Sequence, residues 1–359
     1  MPRLWGLLLL AACSAPAPAP APSAPEAPPS PPPTRPLGGV EPILVVRLRS
    51  LDEAPGEIVV TPAEGAARPV DRAQAEEIVP YPAYFKVGEA AYLGGLEWRD
   101  GMLLHKVGLE NYVLGVLRGE IALGDVPPEA AKAQAIAARS YALDAWRRWS
   151  PRYDLDDTTL FQRYVGLRYA KIDAVLRDAV QATRGLHLEF DGQPLKAYFH
   201  STCGGHTTDV RTGLDREPLA PMGGVPCDWC RASRHYAWKE TIPDATIVRA
   251  AGLDGALTRF EVIERGPGGR ARVVRVSAGG ATRDMRANEF RLAAGPQLLR
   301  STRILSLRHE GAAHVVEGAG WGHGVGLCQM GAIGFAKEGA TATRILAHYY
   351  TGASVAKGY

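Results

Sequence analysis

Three cysteines and a histidine form two short motifs whose spacing is typical of a zinc site. Two residues separate Cys203 from His206 and Cys227 from Cys230, and twenty residues lie between the two pairs. Paired ligands of this spacing close a tetrahedral site, and a site with four protein ligands is structural rather than catalytic. We therefore predict a structural zinc ion bound by Cys203, His206, Cys227 and Cys230.

Other arrangements of these side chains stay open. Exported cysteines are often oxidised, although a disulfide from Cys203 to either of the other two would leave one thiol over. His200 is a rival zinc ligand, since it lies three residues before Cys203. A water or substrate in place of one ligand would make the zinc catalytic. The structural site is favoured because it uses all three cysteines and the histidine.

A single glutamate, Glu120, stands between a glycine and apolar residues in the segment VLRGEI. It could be a helix cap, a buried structural carboxylate or a catalytic acid. An apolar setting raises the pKa of a carboxyl group and keeps a proton on it, as acid catalysis needs. The residues that could supply this setting are Val116, Leu117, Ile121, Ala122 and Leu123. The aspartates that could act as a second carboxylate of the kind used by hydrolytic glycosidases are Asp125, Asp156 and Asp157.

The composition is that of a globular protein. Of 359 residues, 46% are hydrophobic and 22% are charged. The net charge of +3 is small and dispersed, and the sequence contains no basic stripe with interleaved aromatic residues. A nucleic-acid partner is therefore not expected.

The N-terminus has the features of an export signal. Arg3 precedes a short apolar run that ends in Leu-Ala-Ala-Cys at Cys13, and this run is too short to span a membrane. The ending resembles the lipobox of bacterial lipoproteins, in which cleavage precedes a cysteine that is then lipidated. We predict a signal peptide over residues 1–12 and lipidation of Cys13, with a plain secretory signal as the alternative.

A proline-rich segment separates the signal from the rest of the chain. Eleven of the 22 residues from 15 to 36 are proline, which excludes helix and sheet. Residues 13–38 are predicted to form the lipidated cysteine and an extended linker. Residues 39–359 are predicted to form one mixed α+β domain with a β-rich N-terminal part.

The elements of the domain follow from periodicity and turn residues. Helices are predicted over 127–149, where prolines precede an alanine-rich run, over 170–183, and near 343–350. Short β-like runs are PILVVRLRS, GEIVVTPA, AYFKVGE, GMLLHKV, LHLEF, LKAYFHS and AHVVEG. The segment RFEVIERGPGGRARVVRVS predicts a further hairpin.

Several motifs in one order resemble the stage II sporulation protein D family, which includes amidase-enhancer proteins of the cell wall. They are GLENYVLGVLRGEI, DDTTLFQRYVG, KAYFHSTCGGHT, CDWCRASRHYAW and WGHGVGLCQMGAIGFAKEG. The resemblance covers roughly residues 85 to 352. It departs from the family pattern at Cys328, where a serine usually precedes the glutamine, and in the loop after Glu120, which lacks the usual methionine-proline.

The resemblance implies a peptidoglycan lytic transglycosylase that cleaves peptide-free glycan strands between N-acetylmuramic acid and N-acetylglucosamine. The glutamate of the family's glycine-glutamate pair falls on Glu120. It would protonate the glycosidic oxygen and then accept a proton from the muramic C6 hydroxyl as that oxygen attacks C1. The product is a 1,6-anhydro sugar, and no second carboxylate is required.

Further residues of these motifs are candidates for sugar binding. Gln162 and Tyr164 could bind sugar hydroxyls or cap a loop, and His323 and Gln329 lie in a glycine-rich loop that a glycan could approach. The expected partners are peptidoglycan strands, with a cell-wall amidase in the alternative. The expected location is the cell envelope, in the periplasm or on the outer surface, with contact to the membrane through the lipid alone.

Two other functions remain as alternatives. One is an amidase enhancer or glycan-binding module that cuts nothing itself. The other is a zinc hydrolase that uses Cys203 and His206.

Overall fold

Alternating apolar residues near the start of the domain build an antiparallel sheet. The computed structural model describes residues 34–53, 57–73, 76–121, 125–167 and 174–359. The sheet has the order β3-β2-β4-β5-β6-β1-β7, in which only the short β7 lies parallel to its neighbour. Its strands are β1 (Ile43–Arg47), β2 (Val59–Pro62), β3 (Arg68–Pro69), β4 (Glu76–Val87), β5 (Ala90–Arg99), β6 (Met102–Gly108) and β7 (Leu155–Asp156), and a short helix α1 (Arg49–Asp52) follows β1.

Three helices follow this sheet along the chain: α2 (Leu109–Glu120), α3 (Pro128–Arg147) and α4 (Ala174–Ala182). Pro128 occupies the first turn of α3, where the missing N–H would have no helical partner. The alanines of α3 are buried, so that neighbouring elements approach its backbone closely. A buried ion pair joins the first two helices, since Arg139 Nε and Nη2 lie 3.0 and 2.6 Å from the two carboxylate oxygens of Glu110.

The part of the chain from β11 to β16 builds a second hydrophobic core. The elements before it are β8 (Leu186–Phe190), β9 (Gln193–Pro194), β10 (Phe199–His200) and α5 (Val210–Leu214). The core itself is built by β11 (Trp238–Pro243), α6 (Asp244–Ala250), β12 (Leu257–Arg265), β13 (Ala271–Ala278), β14 (Ala281–Arg286), α7 (Ala287–Ala294), β15 (Ile304–Glu310) and β16 (Ala313–Gly318). Two three-stranded antiparallel sheets supply its strands, in the orders β11-β16-β15 and β12-β13-β14.

The last segment returns to the first core. It consists of β17 (Leu327–Cys328), α8 (Gln329–Lys337), α9 (Ala342–Tyr349) and β18 (Ser354–Lys357). β17 pairs in parallel with β10, and β18 pairs antiparallel with β8. The chain end is also tied to α2, because the Tyr359 hydroxyl donates to Glu110 Oε1 at 2.5 Å.

The predicted fold class, mixed α+β, is confirmed. The helices predicted over 127–149 and 343–350, the hairpin at 259–277 and the strand AHVVEG are present within one to two residues. The first residues of the helix predicted from 170, the signal peptide, Cys13 and nearly all of the linker lie outside the described residues.

The local pattern missed many elements. Among them are the helices α2, α6, α7 and α8 and the strands β5, β11, β14, β15 and β18, and LKAYFHS contains only the two-residue strand β10. Helix α2 carries glycines and β-branched residues that lower helix propensity, so its stability comes from its buried face. No helix within the described ranges combines the length and hydrophobicity that a membrane span needs.

Candidate functional site

Glu120 is the last residue of α2, and its side chain is only partly open to solvent. The backbone N–H of Arg163 donates to Glu120 Oε1 at 2.8 Å, and Arg163 Nη1 donates to the carbonyl oxygen of Gly119 at 3.2 Å. The segment around Arg163 therefore holds one carboxylate oxygen in place. A helix N-cap, one of the roles open for Glu120, is excluded because the residue ends its helix.

Two glycines on one face of α2 allow this contact. A Cβ at Gly119 would lie 2.1 Å from the carbonyl oxygen of Arg163, and one at Gly115 would lie 2.3 Å from the Tyr164 ring. Both distances are far shorter than van der Waals contact. A glycine precedes Glu120 for a steric reason. The Arg163 backbone occupies the space that a side chain at position 119 would need.

The pKa of Glu120 is raised above the ordinary glutamate value. Burial is the main cause, and the Arg163 N–H and the Gln329 amide oppose it. Val116, Leu117 and Ile121 supply buried apolar surface next to Glu120 in sequence, as predicted. The other two predicted neighbours, Ala122 and Leu123, lie outside the described residues. The carboxyl group is therefore biased towards the protonated form.

Gln329 is the first residue of α8, and its side chain is 6% exposed. The Gln329 side chain is one of the groups that lower the pKa of Glu120. Its Nε2 has no hydrogen-bond partner within the described chain. Of the four residues predicted to bind sugar, Gln329 is the one that affects the pKa of Glu120.

Gln162 and Tyr164 are core residues, which corrects their prediction as sugar-binding groups. Their exposed fractions are 1% and 4%. Gln162 accepts from the Tyr112 hydroxyl at 3.2 Å and donates to the carbonyl of Ala138 at 3.3 Å. Tyr164 stacks between Tyr112 and His105. Both side chains therefore anchor the segment that presents Arg163 to Glu120.

His323 is also held within the protein. Its Nε2 donates to the carbonyl of Phe199 at 2.9 Å, and its Nδ1 accepts from the N–H of Val325 at 3.1 Å. Burial, assisted by Arg270 and Arg291, lowers the pKa of His323 to about 3. The ring is neutral at physiological pH with both nitrogens engaged, so His323 shapes the glycine-rich loop. The sugar contact predicted for it stays a prediction.

The neighbouring aspartates are engaged elsewhere. Asp156 Oδ1 accepts from the N–H of Thr158 at 2.9 Å, and Asp157 Oδ1 accepts from the N–H of Ser50 at 3.0 Å. Neither is among the groups that shift the pKa of Glu120. Asp157 lines a cleft of about 470 Å³ together with Arg163 and Tyr164, and Glu120 is not among its lining residues.

Four buried cysteines form a separate cluster. The sulfur atoms of Cys203, Cys227, Cys230 and Cys328 all lie within 4.8 Å of one another, and none of the four side chains is exposed. All four are free thiols, and Cys203 Sγ lies 3.5 Å from Cys230 Sγ. Four thiolates converging on one point are a donor set that suits zinc.

His206 is outside this cluster, which corrects its prediction as a zinc ligand. Its Nδ1 lies 2.6 Å from the carbonyl oxygen of Thr207. Cys328 takes the fourth place, because β17 pairs with β10 and sets Cys328 opposite His200, while the N–H of Cys203 donates to Cys328 Sγ at 3.2 Å. His200, the rival ligand, is also outside, with Nδ1 at 3.1 Å from the carbonyl of Val325.

A second group of candidate metal ligands lies on the second core. Asp244 Oδ2 is 2.9 Å from His309 Nε2, and Asp244 Oδ1 is 2.9 Å from His314 Nδ1. One nitrogen of each imidazole thus lies within hydrogen-bond distance of one oxygen of the same carboxylate. The group joins the β15–β16 turn to the start of α6.

These features define an α+β protein with a partly accessible glutamate of raised pKa, Glu120, and a separate buried cluster of four cysteines. A family model described as stage II sporulation protein matches residues 100–190. An uncharacterized protein of Brachyspira hyodysenteriae is 30% identical over 287 residues, 76% of this chain and 74% of that protein. Stage II sporulation protein D of Bacillus subtilis is 28% identical over 270 residues, 71% of this chain and 76% of that protein.

The amidase enhancer of Bacillus subtilis is a more distant relative. It is 25% identical over 279 residues, which are 63% of this chain and 38% of that protein. On these similarities, the chain belongs to the stage II sporulation protein D family.

Sequence reasoning missed the participation of Cys328 in the thiol cluster and the contact between Gln329 and Glu120. Cys328 could have been recognised because it is a cysteine at a position where the family usually has serine. The link between Gln329 and Glu120 had no local signal, since the two residues are 209 positions apart in the sequence.

Proposed function

We propose that the protein is a peptidoglycan lytic transglycosylase with Glu120 as its general acid and base. Family membership supports a cell-wall-related role. The observation that carries the finer proposal is the raised pKa of Glu120, a partly accessible carboxyl group held by the Arg163 N–H and faced by the Gln329 amide. A proton donor in this reaction must begin protonated, and this environment favours that form.

The reaction needs one carboxyl group of the protein. Protonated Glu120 donates its proton to the glycosidic oxygen as the C1–O bond breaks, and the leaving sugar departs as an alcohol. The C6 hydroxyl oxygen of the muramic residue attacks C1, and its proton returns to Glu120. Because Oε1 accepts the Arg163 N–H, Oε2 is the oxygen assigned to carry the proton.

The scheme differs from that of a hydrolytic glycosidase, which needs a second carboxylate about 5–9 Å away to activate water or attack C1. Within the described residues, the groups that shift the pKa of Glu120 include no carboxylate, and Asp156 and Asp157 are bound to other groups. In the proposed reaction the nucleophile comes from the substrate, which yields a 1,6-anhydro product and consumes no water.

A wall-binding helper without activity is the second candidate. It is favoured by one specific observation, which is that Glu120 does not line the cleft of about 470 Å³ formed beside Arg163 and Tyr164. The amidase-enhancer relative gives this alternative its partner, a cell-wall amidase.

The proposed location is the cell envelope, with attachment to a membrane through lipidated Cys13. The support is the sequence alone, namely the Leu-Ala-Ala-Cys ending and the proline-rich segment that follows. A stiff linker would hold the catalytic body away from the membrane and close to the glycan. Metabolic labelling with a fatty acid, compared between the wild type and Cys13→Ala, tests this attachment.

Mass spectrometry of peptide-free glycan strands tests the activity. The whole chain is incubated with the strands as wild type, as Glu120→Gln and as Glu310→Gln, a control at an exposed glutamate. We expect anhydro-muramic ends from the wild type and the control, and a loss of about 100-fold or more in Glu120→Gln. Reducing ends would mean hydrolysis. No cutting by the folded wild type, with amidase stimulation retained in Glu120→Gln, would establish the helper.

A further inference from the structure

Cys328 ties the thiol cluster to the first turn of α8. Cys328 is the N-cap of α8, and its Sγ accepts the N–H of Gly331 at 3.3 Å. An ion bound to the Cys328 sulfur atom would therefore also hold the first turn of α8.

The sulfur positions suit a tetrahedral ion. A zinc–sulfur bond of about 2.3 Å places two tetrahedral sulfurs about 3.8 Å apart. The Cys203–Cys230 sulfur distance is 3.5 Å, and all four sulfurs lie within 4.8 Å of one another. The cluster is thus close to the geometry of a bound ion, with no histidine needed to complete it.

The surrounding groups are suited to thiolates. Cys203 Sγ accepts the N–H of Gly205 at 3.4 Å, and Cys328 Sγ accepts two backbone N–H groups. The fully buried Arg270 donates to the carbonyl of Cys203 at 3.1 Å. Four thiolates around Zn²⁺ retain two negative charges, and a buried guanidinium with N–H donors offsets part of them.

The first turn of α8 packs closely against the segment that carries Cys227. A Cβ at Gly331 would lie 2.6 Å from Cys227 Sγ and 2.2 Å from the Tyr349 hydroxyl. The 227–230 turn is thereby pressed directly against the first turn of α8. Three separate segments meet at the four sulfurs, namely the segment after β10, the 227–230 turn and the start of α8.

We propose that Cys203, Cys227, Cys230 and Cys328 bind one structural zinc ion. This metal site stands independently of the function proposed above. Zinc displaces the thiol protons and crosslinks the start of α8 to the other two segments. Without the ion, the start of α8 keeps its backbone contacts, among them the Met330 N–H that donates to the carbonyl of Ser201 at 3.0 Å, but loses this crosslink.

Metal analysis of the whole chain tests the ligand set. We expect one zinc per chain by elemental analysis, and a thiolate-to-cobalt charge-transfer absorption after cobalt replacement. Cys328→Ser should lower that absorption by about a quarter, as expected for three thiolates in place of four, whereas His206→Asn should leave it unchanged. Loss of absorption in His206→Asn with none in Cys328→Ser, or a disulfide-bonded chain without zinc, would overturn the site.

Two controls keep this test decisive. His309→Ala removes a ligand of the second candidate group, so zinc that persists in this variant is bound elsewhere than at Asp244. Where Cys328→Ser does not fold, cadmium NMR of the wild type counts the thiolates without a substitution, because the cadmium chemical shift depends on their number. A shift typical of three thiolates and one nitrogen would contradict the assignment of Cys328.

Discussion

At the scale of single residues, the raised pKa of Glu120 makes activity and stability change in the same direction with pH. The acid form must start the reaction, so cutting should fall as the pH rises through the Glu120 pKa. The folded state binds this proton more tightly than the unfolded chain does. Its contribution to stability is therefore present below the ordinary glutamate pKa and is lost as the pH rises through the raised value.

The first prediction is that Glu120→Gln is inactive and more stable than the wild type at neutral pH. The neutral amide avoids the cost of a buried charge and can still accept the Arg163 N–H. The gain in melting temperature should vanish at pH values below the ordinary glutamate pKa. Thermal melts at a series of pH values measure this gain. An equal gain in Glu310→Gln would show that the burial of Glu120 is not the cause of the gain.

Tyr164 separates a structural role from a sugar-binding role. Tyr164→Phe keeps the ring stack and loses only a long contact of 3.4 Å between the hydroxyl and His105 Nδ1. We expect it to retain activity, whereas Tyr164→Ala should cost about 3–5 kcal/mol of unfolding free energy. Chemical denaturation and glycan assays measure the two effects. A large loss of activity in a stable Tyr164→Phe variant would instead support sugar binding by the Tyr164 hydroxyl.

At the scale of elements, the contact between α2 and the 161–167 segment depends on glycine. Gly119→Ala would force a Cβ to 2.1 Å from a backbone carbonyl, which must move and carry the Arg163 N–H with it. We expect a loss of about 1–3 kcal/mol of unfolding free energy together with lower activity. Gly223→Ala is the matched control, since its Cβ would meet nothing within 4 Å.

In Gly119→Ala, both the unfolding free energy and glycan cutting should fall. In Gly223→Ala, neither should change. A stable and fully active Gly119→Ala would show that the backbone of Arg163 need not lie against α2. The hydrogen bond to Glu120 Oε1 would then have no role in catalysis.

At the scale of the whole molecule, a buried network joins α2, α3 and the end of the chain. Glu110 accepts from Arg139, from the Gly185 N–H and from the Tyr359 hydroxyl. Burial would raise the pKa of Glu110, but these partners outweigh it and lower the pKa. The stability that this group contributes is present above the ordinary glutamate pKa and is lost as the pH falls through the lowered value.

Removal of Arg139 should therefore be severe. Arg139→Met leaves the Glu110 charge buried without its ion partner, and we expect a loss of about 3–5 kcal/mol of unfolding free energy near neutral pH. The double variant Arg139→Met/Glu110→Leu should recover much of the loss, because no charge stays buried. Urea denaturation measures both, and equal stability of the two variants would contradict this account.

The amino-acid sequence by itself determined the features that depend on neighbours along the chain. Alanine-rich α3 and the hairpin around the 266–269 turn follow from propensity and turn chemistry, and Glu120 and three of the four clustered cysteines follow from short motifs. Local patterns carry this information because a helix, a tight turn or a Cys-x-x-Cys pair is specified by residues a few positions apart.

Only the tertiary structure decided which distant residues meet. The pairing of β10 with β17 brings Cys328 to Cys203 across 125 residues and excludes His206, and the first turn of α8 carries Gln329 to Glu120. It also buried Gln162 and Tyr164, which their motif alone left open as surface groups. Such contacts depend on how whole elements pack, and the free energy of packing is shared among many residues with no local periodicity.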